Sequence, residues 1–179
     1  MLHTREPGGT QLSDELREIM LLRKELRPTA RAEALLVCTA RAQLVEEVLR
    51  PALQMGRVVV CDRYAGSTLA YQGYGRGVDL GELRDVLAFA TEGLWPDLTF
   101  LLDIPPDEGL RRKLGQGGGD PAVWDRIESE AMDFHERVRA GYLALAAADP
   151  DHWRVLDGRE PVEQLAEAVW ESVTQMREI

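Results

Sequence analysis

The sequence predicts an α/β domain built on a parallel sheet flanked by helices. Three observations carry that expectation. Short, largely apolar runs stand at Arg57-Val58-Val59-Val60-Cys61, Leu98-Thr99-Phe100-Leu101-Leu102 and Trp153-Arg154-Val155-Leu156. Runs of that length without polar alternation suit strands buried on both faces, as in parallel sheets. Each is followed by an aspartate, Asp62, Asp103 or Asp157, so a polar group stands at the carboxyl end of each strand, where open α/β sheets bind ligands. Helical periodicity fills the intervals, and strands alternating with helices indicate parallel βαβ units.

In chain order, Arg5-Glu6-Pro7-Gly8-Gly9 reads as a turn leading into a helix. Pro7 pre-sets φ, and the glycines permit positive φ and close backbone approach. Leu12, Leu16, Ile19 and Met20 share one face of the first helix. Leu35, Thr39, Ala42, Val45 and Leu49 form a longer stripe that stops near Pro51, and Leu80, Leu83, Leu87 and Ala90 form another. The longest runs through Ile127, Ala131, Phe134, Val138 and Leu145, and Val162, Leu165, Val169, Val173 and Met176 close the chain. The run Gly115-Gln116-Gly117-Gly118-Gly119 reads as a mobile loop.

The bulk numbers narrow the function classes. At 179 residues, 45% of them hydrophobic, the chain suits one domain, residues 1–179, with a substantial core. A net charge of −10 argues against non-specific binding to nucleic acid or to anionic membranes. A few arginines still suffice for a local anion pocket, and lysine occurs only at Lys24 and Lys113. Cys38 and Cys61 lie in apolar stretches without metal-ligand spacing, as buried free thiols of a reducing, cytoplasmic compartment do. No signal peptide is visible, and no apolar run reaches the ~20 residues that span a membrane. His3, His135 and His152 are scattered, and Trp95, Trp124, Trp153 and Trp170 read as packing residues.

Four segments are suited to chemistry. Arg5 offers a bidentate fork to a phosphate, set in its glycine turn. Arg63, just past a buried strand, is a second phosphate clamp. Its neighbour Asp62 serves either to orient it or to hold a Mg²⁺-bound water; a surface salt bridge is the plain alternative. Ser67, Thr68, Tyr71 and Gln72 follow with hydroxyls and a carboxamide. Gln72 can read a base edge because its amide both donates and accepts, while Ser67 or Thr68 also suits helix capping. Arg111, Arg112 and Lys113 precede the glycine run and Arg126 follows it. They form either a phosphate-covering lid over about 109–126 or a solvated helix face.

Together these segments resemble bacterial thymidylate kinase. The resemblance runs nearly end to end: Thr4 to Thr10, Ala40-Arg41 with Gln43-Leu44, Asp62 to Gly77, Pro96-Asp97-Leu98 up to Asp103, and Asp125-Arg126-Ile127-Glu128. The Asp62 to Gly77 block is the most specific. The resemblance implies a nucleoside monophosphate kinase-like fold of the P-loop NTPase superfamily. It also implies a reaction, transfer of the γ-phosphoryl of ATP to dTMP with Mg²⁺ in dTTP biosynthesis, and a homodimer. Arg5, Arg17 and Arg63 are then placed near the dTMP phosphate, Arg41, Thr68 and Gln72 at thymine, and Tyr71 at the deoxyribose. Glu6 and Asp62 join the polar, metal-linked network. Arg111, Arg112 and Arg126 cover the ATP phosphates, and Arg63, Asp62 and Arg126 are the catalytic candidates. Phosphoryl transfer asks mainly for positioning and charge neutralisation, which arginines and Mg²⁺ supply.

The chain departs from that family in two places. The family opens with a strand, a Gly-x-x-x-x-Gly-Lys-Ser/Thr loop and a helix, a unit on the order of 30 residues. Neither Lys24 nor Lys113 follows a glycine. The expectation is therefore a chain that begins after that unit, with Leu2-His3-Thr4 as the remainder of the second strand. The sheet would then be interrupted between the strands ending at Asp62 and Asp103. The family's aromatic residue four positions before the thymine-reading arginine is Val37 here, which favours weaker base stacking. A non-catalytic remnant that binds dTMP without turnover is the competing expectation.

Overall fold

The computed structural model describes residues 1–115 and 125–177. Four short strands form two parallel pairs. β1 (Leu2–Arg5) lies against β2 (Val59–Asp62), with Leu2 opposite Val59 and Arg5 opposite Asp62. β3 (Thr99–Asp103) lies against β4 (Trp153–Asp157), with Thr99 opposite Trp153 and Asp103 opposite Asp157. The parallel pairing follows from the helical crossovers that join the strands. Among the described residues β2 and β3 are not hydrogen-bonded to each other.

The expectation of strands buried on both faces does not hold. Val58, Val60, Leu102 and Val155 are each 45–53% exposed, and β1 and β2 alternate between half-buried and exposed positions. A two-stranded pair has too little surface to be covered on both faces, so the continuous apolar character of these runs is only half used.

The helices carry most of the packing. α1 (Gln11–Arg17) is capped by Thr10, whose hydroxyl accepts the Ser13 N–H at 3.1 Å, and a π-helical turn, Glu18–Leu22, extends it. α2 (Ala30–Leu44) continues through a second π-helical turn, Val45–Leu49, into α3 (Arg50–Gln54), where Pro51 sits in the first turn. Proline is tolerated there because its missing N–H has no intrahelical partner to lose. α4 (Ala65–Thr68) opens directly into a third π-helical segment, Leu69–Gly75. α5 (Leu80–Thr91) is capped by Asp79, which accepts the Glu82 N–H at 2.9 Å, and ends at Glu92 in the left-handed region. α6 (Pro106–Gly115), α7 (Met132–Ala148) and α8 (Val162–Arg177) complete the chain.

The main core joins α2, α4 with its π-helical extension, α5 and α7 through Ala34, Cys38, Leu69, Ala70, Leu83, Leu87, Phe134 and Val138. Burying the Leu, Val and Phe side chains among them contributes about 1.5–3 kcal/mol each. A smaller cluster gathers Leu44, Val45 and Leu49. The stripe through Leu35 and Thr39 is not the buried face of α2, since Leu35 is 56% exposed and Thr39 is exposed. The buried face is Glu33, Ala34, Val37, Cys38, Ala40 and Arg41, a row that includes two charged side chains. Periodicity of apolar residues alone points to the wrong side of a helix whose inner face binds charges.

Candidate active site

The carboxyl ends of β1 and β2 bring Arg5, Asp62 and Arg63 together. Arg5 and Asp62 are register partners, and the Glu6 N–H donates to the Asp62 carbonyl at 2.9 Å. The following turn contains a cis Glu6–Pro7 bond and positive φ at Gly8 and Gly9. A Cβ at Gly8 would lie 2.7 Å from an Asp14 carboxylate oxygen, so this bend requires glycine. Arg5 contacts Asp14 at 3.3 Å, and Arg17 donates to the Pro7 carbonyl at 3.0 Å. Both arginines therefore flank the turn. Arg63 has φ of 68°, in the left-handed region. Its guanidinium stands 5.1 Å from the centre of the Tyr71 ring, and it is exposed, as are Arg5 and Asp62. A non-glycine residue in that conformation costs about 1–3 kcal/mol and marks sites where function holds the backbone.

Beside this cluster, α2 and the α4 segment face one another as a ladder. On α2, Glu33, Val37 and Arg41 recur every four residues and so share a face. Opposite them stand Gln72 and Thr68. At one end the Gln72 amide donates to Glu33 at 2.7 Å; at the other an Arg41 N–H donates to the Thr68 hydroxyl at 2.9 Å. Arg41 also grips Glu6 with Nε at 2.9 and 3.0 Å and Nη2 at 2.6 Å, and lies 5.3 Å from the centre of the Tyr64 ring. Val37, 9% exposed, occupies the rung between. A ladder with polar ends and an apolar middle suits a flat heterocycle.

Arg41 and Glu6 are 1% and 4% exposed, so neither charge is solvated and each depends on the other. Burial pushes the Glu6 carboxyl up against the opposing pull of Arg41, while the partnership with Glu6 outweighs burial and raises Arg41. Burial also acts to raise Glu33. The Gln72 and Arg126 hydrogen bonds and the charges of Arg76 and Arg126 overcome it and hold that carboxyl below its ordinary value. Cys61 is pushed up to about 12 by burial, so its thiol stays protonated at neutral pH and is no nucleophile.

Arg126 does not lie among the other lid cations. Its Nη2 donates to Glu33 at 2.6 Å, its Nε to the Met20 carbonyl at 2.9 Å, and its backbone N–H to the Leu21 carbonyl at 3.0 Å. Arg111 and Arg112 stand on α6, where Arg112 donates to the Gly158 carbonyl at 2.8 Å and pairs with Glu108. Residues 116–124, and with them Trp124 and most of the glycine run, lie outside the described residues. Tyr71 packs edge-on against Phe134 and Tyr142, and Ser67 bonds the Tyr142 hydroxyl at 2.7 Å.

Sequence reasoning missed Glu33, Arg76 and Glu130. Arg76 bridges Glu130 at 2.7 Å and Glu33 at 3.4 Å, over the Phe134 ring at 4.5 Å. The available signal was the spacing of Glu33, Val37 and Arg41, which sets a carboxylate on the same helix face as the arginine. Among the described residues no group of three or more potential metal ligands gathers, and no helix is long and apolar enough to cross a membrane.

The family model described as thymidylate kinase matches residues 1–169. The chain is 53% identical over 175 residues to the thymidylate kinase of Roseiflexus sp. (strain RS-1), covering 93% of this chain and 76% of that protein. It is 50% identical over 176 residues to the thymidylate kinase of Thermomicrobium roseum, covering 98% of this chain and 81% of that one. The crystal structure of thymidylate kinase from Ehrlichia chaffeensis superposes with a TM-score of 0.70 at 28% identity, over 90% of this chain and 71% of that chain. None of these descriptions supports the competing expectation of a non-catalytic remnant.

Proposed function

The chain belongs to the thymidylate kinase family, and on that premise we propose that it transfers the γ-phosphoryl group of ATP to dTMP, giving dTDP and ADP for dTTP synthesis. The observation that carries the reading is the α2 ladder, with buried Arg41 bonded to Thr68 at one end and Gln72 fixed at the other. Thymine fits between them, its carbonyl toward Arg41 and its N3–H toward the Gln72 carboxamide. The monophosphate then extends toward Arg5, Arg17 and Arg63 at the ends of β1 and β2. There the arginines screen the acceptor phosphate, whose oxygen attacks the γ-phosphorus of ATP in line. Tyr71, carrying the Arg63 guanidinium over its ring, borders the sugar.

Mg²⁺ belongs to this chemistry as the ion that accompanies ATP. The donor set fits that role: Asp62 is an exposed carboxylate at a strand end, and Glu6 is consumed by Arg41. When bound, Mg²⁺ neutralises charge on the β- and γ-phosphates. Asp62 would be the residue that helps hold the ion, and Arg111 and Arg112 on α6 face the donor phosphates. Arg126, anchored between Met20 and Glu33, ties the 125–130 turn to the base pocket. The chain acts as a homodimer, with the exposed face of α5 around Phe89 in the contact.

A coupled ADP-release assay with ATP, Mg²⁺ and dTMP tests the reading. The expected result is ADP formation that depends on dTMP and is far slower with dCMP or dGMP. ADP release indifferent to dTMP would refute it.

A further inference from the structure

We infer that Glu33 sets the base specificity of this site by fixing which way the Gln72 carboxamide faces. The inference deepens the dTMP reading above and rests on it. Glu33 is 1% exposed and accepts from Gln72 at 2.7 Å and Arg126 at 2.6 Å, with Arg76 at 3.4 Å. A carboxylate held by two guanidinium groups is ionised and has only lone pairs to offer. The Gln72 amide must therefore turn its nitrogen toward Glu33. Its oxygen is left facing the other way, and among the described residues nothing donates to it. The exposed end of the amide is thus an acceptor.

Two helical turns along α2, Arg41 presents the opposite character. Of its five N–H groups, three are committed: Nε and one on Nη2 to Glu6, and one on Nη1 to Thr68. The remaining two are donors. The ladder therefore shows a donor at the Arg41 end and an acceptor at the Gln72 end, with apolar Val37 between. Thymine presents O4, an acceptor, beside N3–H, a donor, and matches both. Cytosine presents an amino donor beside a bare N3 acceptor and is mismatched at both. A freely rotating Gln72 would accept either base. Glu33 removes that freedom without touching the nucleotide, so it is a positioning residue, and its two arginines are what keep it charged.

The test is the ratio of dTMP to dCMP affinity, read by calorimetric titration of the full chain. The wild-type protein is expected to prefer dTMP. In Glu33→Gln the side chain at 33 can donate as well as accept, so the preference falls roughly 10-fold or more. The exchange E33Q/Q72E restores an outward acceptor at 72 and is expected to recover most of the preference, which a merely structural role for Glu33 would not do. A wild-type preference that persists unchanged in Glu33→Gln overturns this inference alone. A wild type that binds both nucleotides equally overturns the dTMP reading and this inference with it. If neither variant folds, side-chain ¹⁵N–¹H spectra of the wild type decide. One Gln72 amide proton shifted downfield and protected from solvent exchange by its bond to Glu33 is expected, and two amide protons at free-glutamine shifts with unprotected exchange overturn the assignment.

Discussion

Arg63 is held at a φ of 68° immediately after a strand, with its guanidinium on the Tyr71 ring. Strain of this kind persists when the surroundings over-determine the backbone, and here the surroundings are the carboxyl ends of β1 and β2. Arg63→Ala leaves the backbone strain in place, because alanine also carries a Cβ, and removes the clamp. Its kcat/KM for dTMP is expected to fall by roughly 10²-fold or more, with thermal stability nearly unchanged; near-normal turnover would reject the role. Glu33 supplies a second test at this scale. Its carboxyl is held below the ordinary value of 4.5. A depressed carboxyl contributes stability that is present above the unfolded-state value and is lost as pH falls through the folded-state value. The melting temperature of wild type minus that of Glu33→Gln should be constant above about pH 6 and shrink as pH drops below about 4.5. A difference that grows on acidification would contradict the sign. The strand-end positions of Arg5 and Arg63 were legible in the sequence, because a glycine turn or an apolar run flanks each. Glu33 was not, because a lone acidic residue in a helix reads as solvated until a partner helix is known.

At the scale of elements, the site depends on how closely α7 approaches the π-helical segment Leu69–Gly75, which carries Tyr71 and Gln72. Glycines set that distance. A Cβ at Gly141 would meet the Tyr74 ring at 2.6–2.7 Å, and one at Gly75 would meet Phe134 at 2.6 Å. In an isolated helix Gly→Ala is favourable by about 0.5–1 kcal/mol. Here Gly141→Ala is expected to destabilise by about 1–3 kcal/mol by forcing the ring aside. A rise in melting temperature would show that the contact is loose. The helices of the core were largely readable from periodicity, as Leu83, Leu87, Phe134 and Val138 show. The start of α7 was not. Ile127 and Ala131 continue the apolar rhythm, yet the chain forms a turn there because Asp125 accepts the backbone N–H groups of Ile127 and Glu128 at 2.8 Å.

For the whole molecule, the parallel α/β character follows from the apolar runs and their aspartates, but their burial does not. Two separate strand pairs leave Val60, Leu102 and Val155 about half exposed, a consequence of pairing that no run of valines discloses. Phe89 on α5 is 86% exposed, beside the exposed Ala88 and the half-buried Ala42. A patch of this kind marks a contact surface. On the proposed homodimer, Phe89→Glu is expected to halve the mass seen by light scattering. An unaltered mass would place the dimer contact elsewhere. If the ladder between α2 and the Leu69–Gly75 segment reads thymine, calorimetric titration of the unmodified chain distinguishes dTMP from dCMP. Saturable dTMP binding is expected, with dCMP weaker by roughly 10-fold or more; equal affinities, or no binding of dTMP, would refute that reading.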